Sequence, residues 1–465
     1  MASEEELRDL RQEIAKTTGK IVHLIATRND LARKVGDVKR RASFPIEDPK
    51  VEEALVKEVV EECDREGVDR QVGLKVLSVL LSEGKRVQGL QGKQPQLITP
   101  MMMAAKAAQL QAAGRKLVRL DVGEPDFRPP EAVVKACSDA LYGFKTHYTQ
   151  TRGVPELVTA LRKYLERRYN YSTTEGQVMS TPGGRFGIFM ALSTVVKEGE
   201  GAIIVEPNWP AYKEILQQIG GRAATVPTTM EEGWEPSVEA VKAAIRPNTR
   251  AIILSYPANP TGKIIAPAKF KEILGVANDA KLTVISDEIY GDYSYTPCPT
   301  ILQGGADRFI LTASFSKTWA MTGFRVGYSV SSEELITKMM KIQSLVMTSV
   351  PEFIQYGAIK ALDSDAEVHD NARRMKDRID LAAREFDKIG GLEYAKPDGA
   401  MYFFPQARKP DFDSSAFAMK LLEEKGVSIA PGTGFGNYPR CFRISLGNSD
   451  ETIVEGIRKI GELVG

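Results

Sequence analysis

Cysteine is scarce: there are four in 465 residues, at positions 63, 137, 298 and 441. They stand far apart and form no Cys-x-x-Cys pair. That argues against a disulfide framework and against a zinc site, so no metal is expected, and it fits a reduced cytoplasm. Long apolar runs are missing too; none approaches the ~20 residues that a bilayer span requires. The opening MASEEELRDL lacks the basic start and apolar core of a secretory signal. Charge of one sign is not in excess. The net value of +1 gives no reason to expect nucleic acid or a membrane as partner. Internal repeats and low-complexity tracts are absent. What remains is an ordinary globular composition, in a chain long enough for at least two folded units.

The texture changes near residue 90. Residues 1–90 hold one turn cluster, SFPIEDP, and otherwise read as three helices. The first carries Leu7, Leu10, Ile14, Thr17, Ile21, Leu24, Leu31, Val35 and Val38 at three-to-four spacing, a seam sustained over four heptads. At ~1.5 Å per residue it is roughly 50 Å long, and a helix of that length needs partners. Asp48-Pro49 suits the start of a second helix, with Leu55, Val59 and Cys63 on its apolar face. Gly67 suits its end, and Asp69 can cap a third helix carrying Leu77, Leu80, Leu81 and Val87. Three such helices leave a seam uncovered, which a dimer would cover. Residues 91–97 read as a linker.

Beyond the linker, GAIIV, AIILSY, LTVISD and FILTASF are short apolar runs between amphipathic stretches. They read as parallel strands covered on both faces, the pattern of an α/β sheet. Three of them end in distinctive residues. AIILSYPANPTG delivers Asn259. LTVISDEIY delivers Asp287 and Tyr290. FILTASFSKTWAMTGFRVGY delivers Ser314, Ser316, Lys317 and Arg325. In open α/β sheets ligands bind beyond the carboxyl ends of the strands, so these groups converge on one crevice. TPGGRFGIFMAL adds Gly183 and Gly184 where a helix begins, a place where backbone N–H groups can approach a phosphate. A lysine amine, a carboxylate, amide and phenol donors, and a phosphate cradle are what pyridoxal 5′-phosphate chemistry needs.

SFSKTWAMTGFRVGY, SDEIY and NPTG, in this order and spacing, resemble class I aminotransferases of fold type I. The resemblance covers about residues 98–465. It implies a large domain of about 140–375 with a mainly parallel sheet. A smaller α+β domain would be built from about 98–139 and 376–465. It implies that Lys317 forms the Schiff base with the cofactor and that Asp287 meets the pyridine nitrogen. Asn259 and Tyr290 would meet the ring oxygen, and Ser314, Ser316, Arg325, Gly183 and Gly184 the phosphate. GEPDF places Gly123 against the substrate carboxylate. Trp209, in EPNWPAY, matches the aromatic that stacks on the ring. Tyr148, in YTQTRGVPEL, matches the tyrosine that reaches the phosphate of a neighbouring subunit, and Arg443, in FRISLG, the clamp for the substrate α-carboxylate. Within the family the chain looks like the aspartate and prephenate aminotransferases. There a lysine after the double glycine meets the distal carboxylate of a dicarboxylic substrate; here that position is Arg185. The arm QLITPMMMAAK offers Thr99 as its nearby hydroxyl and three methionines as an adaptable apolar surface, which leaves room for a bulkier, ring-bearing substrate.

In the first ninety residues, Arg28 occupies a seam position, where an arginine is costly unless paired. Lys39 lies eleven residues on and returns to nearly the same face. Glu52 joins the second helix's stripe, and Gln88 follows Leu81 and Gly84 on the third. Arg11 precedes Arg28 by seventeen residues, ~25 Å along the axis and on another face, so it can join them only from a second chain. LRDLRQEI, ATRNDLARKVGDVK and PIEDPKVEE, with the terminal Gln88, resemble the all-helical chorismate mutases over residues 4–90. The resemblance implies a rearrangement of chorismate to prephenate. Arg11 and Arg28 would serve the carboxylates, Lys39 and Gln88 the ether oxygen, and Glu52 the ring hydroxyl, with Asp48 beside the substrate. Val51 stands where the family usually has arginine, and Gly84 where a serine is common.

Three functional classes follow. The first is a cytoplasmic bifunctional enzyme of aromatic amino-acid synthesis, at least a homodimer, with glutamate or aspartate as amino donor and prephenate, an aromatic keto acid or oxaloacetate as acceptor. The second is an aspartate aminotransferase whose helical domain only dimerises or senses chorismate or prephenate. The third, a cofactor-binding transcription regulator, would need a basic recognition helix; residues 1–92 are near charge balance and show none.

Overall fold

The computed structural model describes residues 4–41, 49–89 and 99–464. The chain divides into two compact units, Met1–Leu97 and Ile98–Gly465; the linker expected at 91–97 and the capping residue Asp48 lie outside the described residues. No helix among the described residues is long and apolar enough to cross a membrane.

The first unit is all helix: α1 (Glu4–Arg41), α2 (Pro49–Glu66) and α3 (Arg70–Gly89). Gly67 closes α2 with φ +68°, a conformation that favours glycine. The Asp69 carboxylate then accepts the Val72 N–H at 3.2 Å and caps α3. α3 packs against both other helices and buries Leu77 and Val87, while α2 contributes Cys63. Gly73 lies directly against the Cys63 sulfur. The long seam of α1 is different. Leu10, Ile14, Ile21, Leu24, Leu31, Val35 and Val38 are all at least 46% exposed in the single chain.

In the second unit, α4 (Pro100–Ala112) is capped by Thr99, whose hydroxyl accepts the Met102 N–H at 3.2 Å. After β1 (Val118–Arg119) come the strands of the main sheet: β2 (Val178–Thr181), β3 (Gly201–Glu206), β4 (Arg222–Pro227), β5 (Thr249–Ser255), β6 (Thr283–Asp287), β7 (Phe309–Ser314) and β8 (Gly327–Ser331). Their order is β2-β8-β7-β6-β5-β3-β4, and β8 is the strand that runs antiparallel to its neighbours. GAIIV, AIILSY, LTVISD and FILTASF form β3, β5, β6 and β7, mutually parallel. Alternate residues feed two cores. Ile203, Ile252, Val284 and Leu311 enter one, and Ile204, Ile253, Ile285 and Ile310 the other. A strand covered on both faces is apolar throughout for this reason.

A third core gathers Met103 of α4, Leu120, Phe386, Phe403, Phe442 and Ile457. Around it Tyr402–Phe403 pairs antiparallel with Phe442–Ser445. The helix Asp365–Phe386 links the cores, with Val368 in one of the sheet's and Met375, Ile379 and Phe386 in the third. The boundary expected near residue 139 falls within a helix. The helix Glu131–Tyr142 buries Val133 in a core of the sheet, and its Cys137 faces Gly357 of the helix Glu352–Ala361. The face Val133/Cys137 is matched by a glycine that admits close approach, which the sequence around residue 139 does not show.

Candidate active site

The crevice lies at one edge of the main sheet because the strand directions put it there. β6 ends at Asp287, β7 at Ser314 and β2 at Thr181, while the antiparallel β8 starts beside Arg325. Beyond β7 the chain turns at once into a one-turn helix, Phe315–Thr318. Ser314 caps it by accepting the Ser316 N–H at 3.1 Å and donates its own hydroxyl to Ser316 Oγ at 2.9 Å. Lys317 rides on this turn. Its Nζ donates to the Gly123 carbonyl at 2.5 Å. Burial pushes the amine down to about 8, against the pull of Glu124 and with help from Arg443 and Arg325.

Asp287 is buried. Its Oδ2 accepts the Tyr212 hydroxyl at 2.6 Å and its Oδ1 the Ile289 N–H at 3.3 Å. Burial pushes the carboxyl up to about 6, and these two donors act in the opposite direction. Tyr290 is buried beside it, with its hydroxyl 2.5 Å from that of Tyr402. Burial and Tyr402 together drive Tyr290 well above its ordinary value, so it remains a phenol.

Arg443 is also buried, and three contacts hold it. Its guanidinium donates to Asn259 Oδ1 at 3.0 Å and to the Asp121 carbonyl at 2.6 Å, and it lies 4.4 Å from the centre of the Tyr402 ring. Its Nε is buried with no hydrogen-bond partner among the described residues. A buried charged donor left open in this way is what an incoming carboxylate would satisfy. At the other end of the crevice, Gly183 (φ +82°) starts the helix Gly184–Val195, and a Cβ there would crowd the Arg325 guanidinium at 2.8 Å. At Gly184 a Cβ would meet Ile289 at 2.7 Å. These glycines keep backbone N–H groups bare at a helix N-terminus beside an arginine and two serines, an anion cradle. The Arg185 guanidinium, exposed on the first turn, lies 4.6 Å from the centre of the half-buried Trp209 ring.

An amine lowered toward neutrality, a buried carboxylate, a phenol, an amide and an anion cradle fit pyridoxal 5′-phosphate. The sequence-predicted residues Lys317, Gly123, Asp287, Tyr290, Asn259, Arg443, Gly183, Gly184, Ser314, Ser316 and Arg325 are thus found in one crevice. Among the described residues Tyr148 is not tied to them; it is 91% exposed. Sequence reasoning missed Tyr212 and Tyr402. Tyr212 stands three residues beyond Trp209 in EPNWPAY, a helical spacing that could have pointed to it. Tyr402 carries no comparable signal.

In the helical unit, Arg28 is half-buried and its Nη1 donates to the Leu80 carbonyl of α3 at 2.5 Å. Gly84 makes room for it: a Cβ there would stand 3.1 Å from that nitrogen. Lys39 is half-buried on α1 and Arg11 is exposed near its start. Glu52 and Gln88 lie in α2 and α3, with side chains outside the described residues, as is all of Asp48.

A crevice at the switch edge of a mainly parallel sheet, with a lysine of lowered basicity after one strand and a buried carboxylate at the end of the next, defines the class of fold type I transaminases. The chain belongs to the aminotransferase class I and II family, whose model matches residues 115–460. Residues 10–89 match the chorismate mutase type II model, so a chorismate mutase domain precedes the transaminase. A (5-formylfuran-3-yl)methyl phosphate transaminase of Methanocaldococcus jannaschii is 34% identical over 78% of this chain and 96% of its own. A probable aspartate/prephenate aminotransferase of Aquifex aeolicus is 32% identical over 77% and 94%. Among solved structures, the aspartate aminotransferase of Thermus thermophilus with maleate aligns with a TM-score of 0.75 at 31% identity, over 78% of this chain and 96% of that one.

Proposed function

We propose that the chain carries out two reactions of aromatic amino-acid synthesis. The helical unit rearranges chorismate to prephenate, and the larger unit transfers an amino group from glutamate or aspartate to prephenate, an aromatic keto acid or oxaloacetate. The observation that carries the pairing is the joining of a chorismate mutase domain to a transaminase whose relatives include an aspartate/prephenate aminotransferase.

Pyridoxal phosphate, when bound, supplies an electron sink for the charge left when a substrate α-proton departs. The chain's own residues do the rest. Gly183, Gly184, Ser314, Ser316 and Arg325 would hold the phosphate. Asp287 would keep the ring nitrogen protonated, Asn259 and Tyr290 would bind the ring oxygen, and Trp209 would stack on the ring. Lys317 takes and returns the α-proton at Nζ, a role suited to an amine that burial brings down to about 8. Arg443 offers Nε to the α-carboxylate while Asn259 and Asp121 fix its plane. Arg185, held over Trp209, meets a distal carboxylate at the crevice mouth.

In the helical unit no nucleophile is needed. Arg28, Lys39, Glu52 and Gln88 hold the dianion in a compact chair and stabilise charge on the breaking ether bond. Arg11 comes from a second copy. The uncovered seam of α1 supports that arrangement, and Tyr148, exposed on the transaminase, suits a site shared between two copies.

The test is amino transfer from glutamate to prephenate, phenylpyruvate and oxaloacetate, run beside the loss of chorismate absorbance. Appreciable transfer to prephenate or phenylpyruvate is expected; reaction with oxaloacetate alone defeats the coupled reading. A second reading keeps the helical unit as a sensor or dimerisation module, and Val51, in place of the family's arginine, favours it. Chorismate loss no faster than the uncatalysed rate would select it.

A further inference from the structure

The carboxylate assigned to the ring nitrogen has a partner that the preceding assignments leave without a role. Tyr212 sits on the first turn of the helix Ala211–Gln218, just beyond β3, and is 2% exposed. Its hydroxyl reaches across 75 residues of sequence to Asp287 Oδ2 at 2.6 Å, short enough for a charge-assisted bond. Its ring stands edge-on to Trp209, with centroids 5.4 Å apart and planes at 90°. Trp209 in turn lies under the Arg185 guanidinium. One buried tyrosine therefore touches both the carboxylate and the aromatic plate.

Chemistry gives the contact a direction. A buried carboxyl tends to take up a proton, and a neutral acid would not hold a proton on the ring nitrogen opposite. A phenol is a donor to a carboxylate, and donation to the ionised form favours that form. The Ile289 N–H on Oδ1 acts in the same sense but is longer, at 3.3 Å.

We infer that Tyr212 is a positioning residue: it keeps Asp287 ionised and aimed, and fixes that carboxylate relative to the Trp209 ring. The inference rests on the reading that Asp287 faces the cofactor's ring nitrogen. Tyr212 does not touch substrate, so its effect passes through Asp287 and the cofactor. Removing the hydroxyl takes away one charge-assisted bond, equivalent to a shift of about one to two pH units in the carboxyl.

The experiment uses the full chain, the variant Tyr212→Phe, and pyridoxal phosphate added to cofactor-free protein. The phenyl ring fills the same space, so folding is retained, and thermal unfolding checks it. The variant is expected to bind the cofactor at least fivefold more weakly. The acidic limb of its kcat profile, and the acid-side change in the bound cofactor's absorbance, move up by about one pH unit or more. KM for the amino acid stays within twofold. In an Asp287→Asn background, Tyr212→Phe adds no further loss of cofactor affinity. If wild type binds pyridoxal phosphate but Tyr212→Phe matches it in affinity and in both pH profiles, the positioning role is refuted and the cofactor reading survives. Additive losses in the double variant refute the route through Asp287. If wild type itself fails to bind, the cofactor reading falls with it.

Discussion

Gly123 faces Tyr402 so closely that a methyl group has nowhere to go. A Cβ on Gly123 would run into Tyr402 Oη and stand 3.1 Å from Cζ and 3.3 Å from Cε1. Tyr402 cannot swing aside freely. It is 1% exposed, its hydroxyl is bonded to Tyr290, and its ring face carries Arg443. Gly123→Ala therefore forces either the tyrosine or the backbone to move. Overpacking a core costs about 1–3 kcal/mol, and a lost buried hydrogen bond about 1 kcal/mol more, for about 2–4 kcal/mol in all. The Gly123 carbonyl also holds Lys317 Nζ, so the displacement reaches the amine. A shift of about 1 Å in reacting groups costs ~10²-fold in rate. The expected result is a fall of that order in kcat/KM and a clear drop in thermal stability. Tyr402→Phe removes the clashing oxygen, and the remaining approach to Cζ needs an adjustment of only a few tenths of an ångström. The double variant Gly123→Ala/Tyr402→Phe is thus expected to be more stable than Gly123→Ala alone and to regain about tenfold in kcat/KM, although Tyr402→Phe is itself harmful. Strictly additive losses, or an unimpaired Gly123→Ala, would refute the packing argument.

The two units separate by mutation. Lys317→Ala should abolish amino transfer and leave chorismate loss unchanged. Arg28→Ala should slow chorismate loss by about 10²-fold or more, since it removes a charge from the site, and leave amino transfer within twofold; parallel assays of both variants check this. The depressed amine of Lys317 sets a pH dependence. Its folded value lies near 8 rather than 10.5, so the free amine accumulates as pH rises through 8. The rate at which cofactor-free protein takes up pyridoxal phosphate should rise with a midpoint near pH 8, and a midpoint near 10.5 would show that the amine is not desolvated.

Much of this molecule is legible in one dimension. The apolar runs that became β3, β5, β6 and β7 announce themselves, because a strand covered on both faces must be apolar throughout. The seam of α1 is equally plain, since a helix repeats every 3.6 residues whatever it packs against. Lys317, Asp287, Asn259 and Gly183 could be named because each follows its strand at the edge where parallel sheets bind ligands. Tertiary structure decided the rest. Which strand lies beside which is not written locally, and it is the order β7-β6-β5-β3 that brings Tyr212, after β3, to Asp287, at the end of β6. Tyr402 stands 112 residues beyond Tyr290, and the two meet because both are buried in the same core. Gly84 read as a departure from its family's pattern; the fold shows it as the space into which the Arg28 guanidinium fits. Periodicity reports the face a residue turns inward, and only the packed chain reports what that face meets.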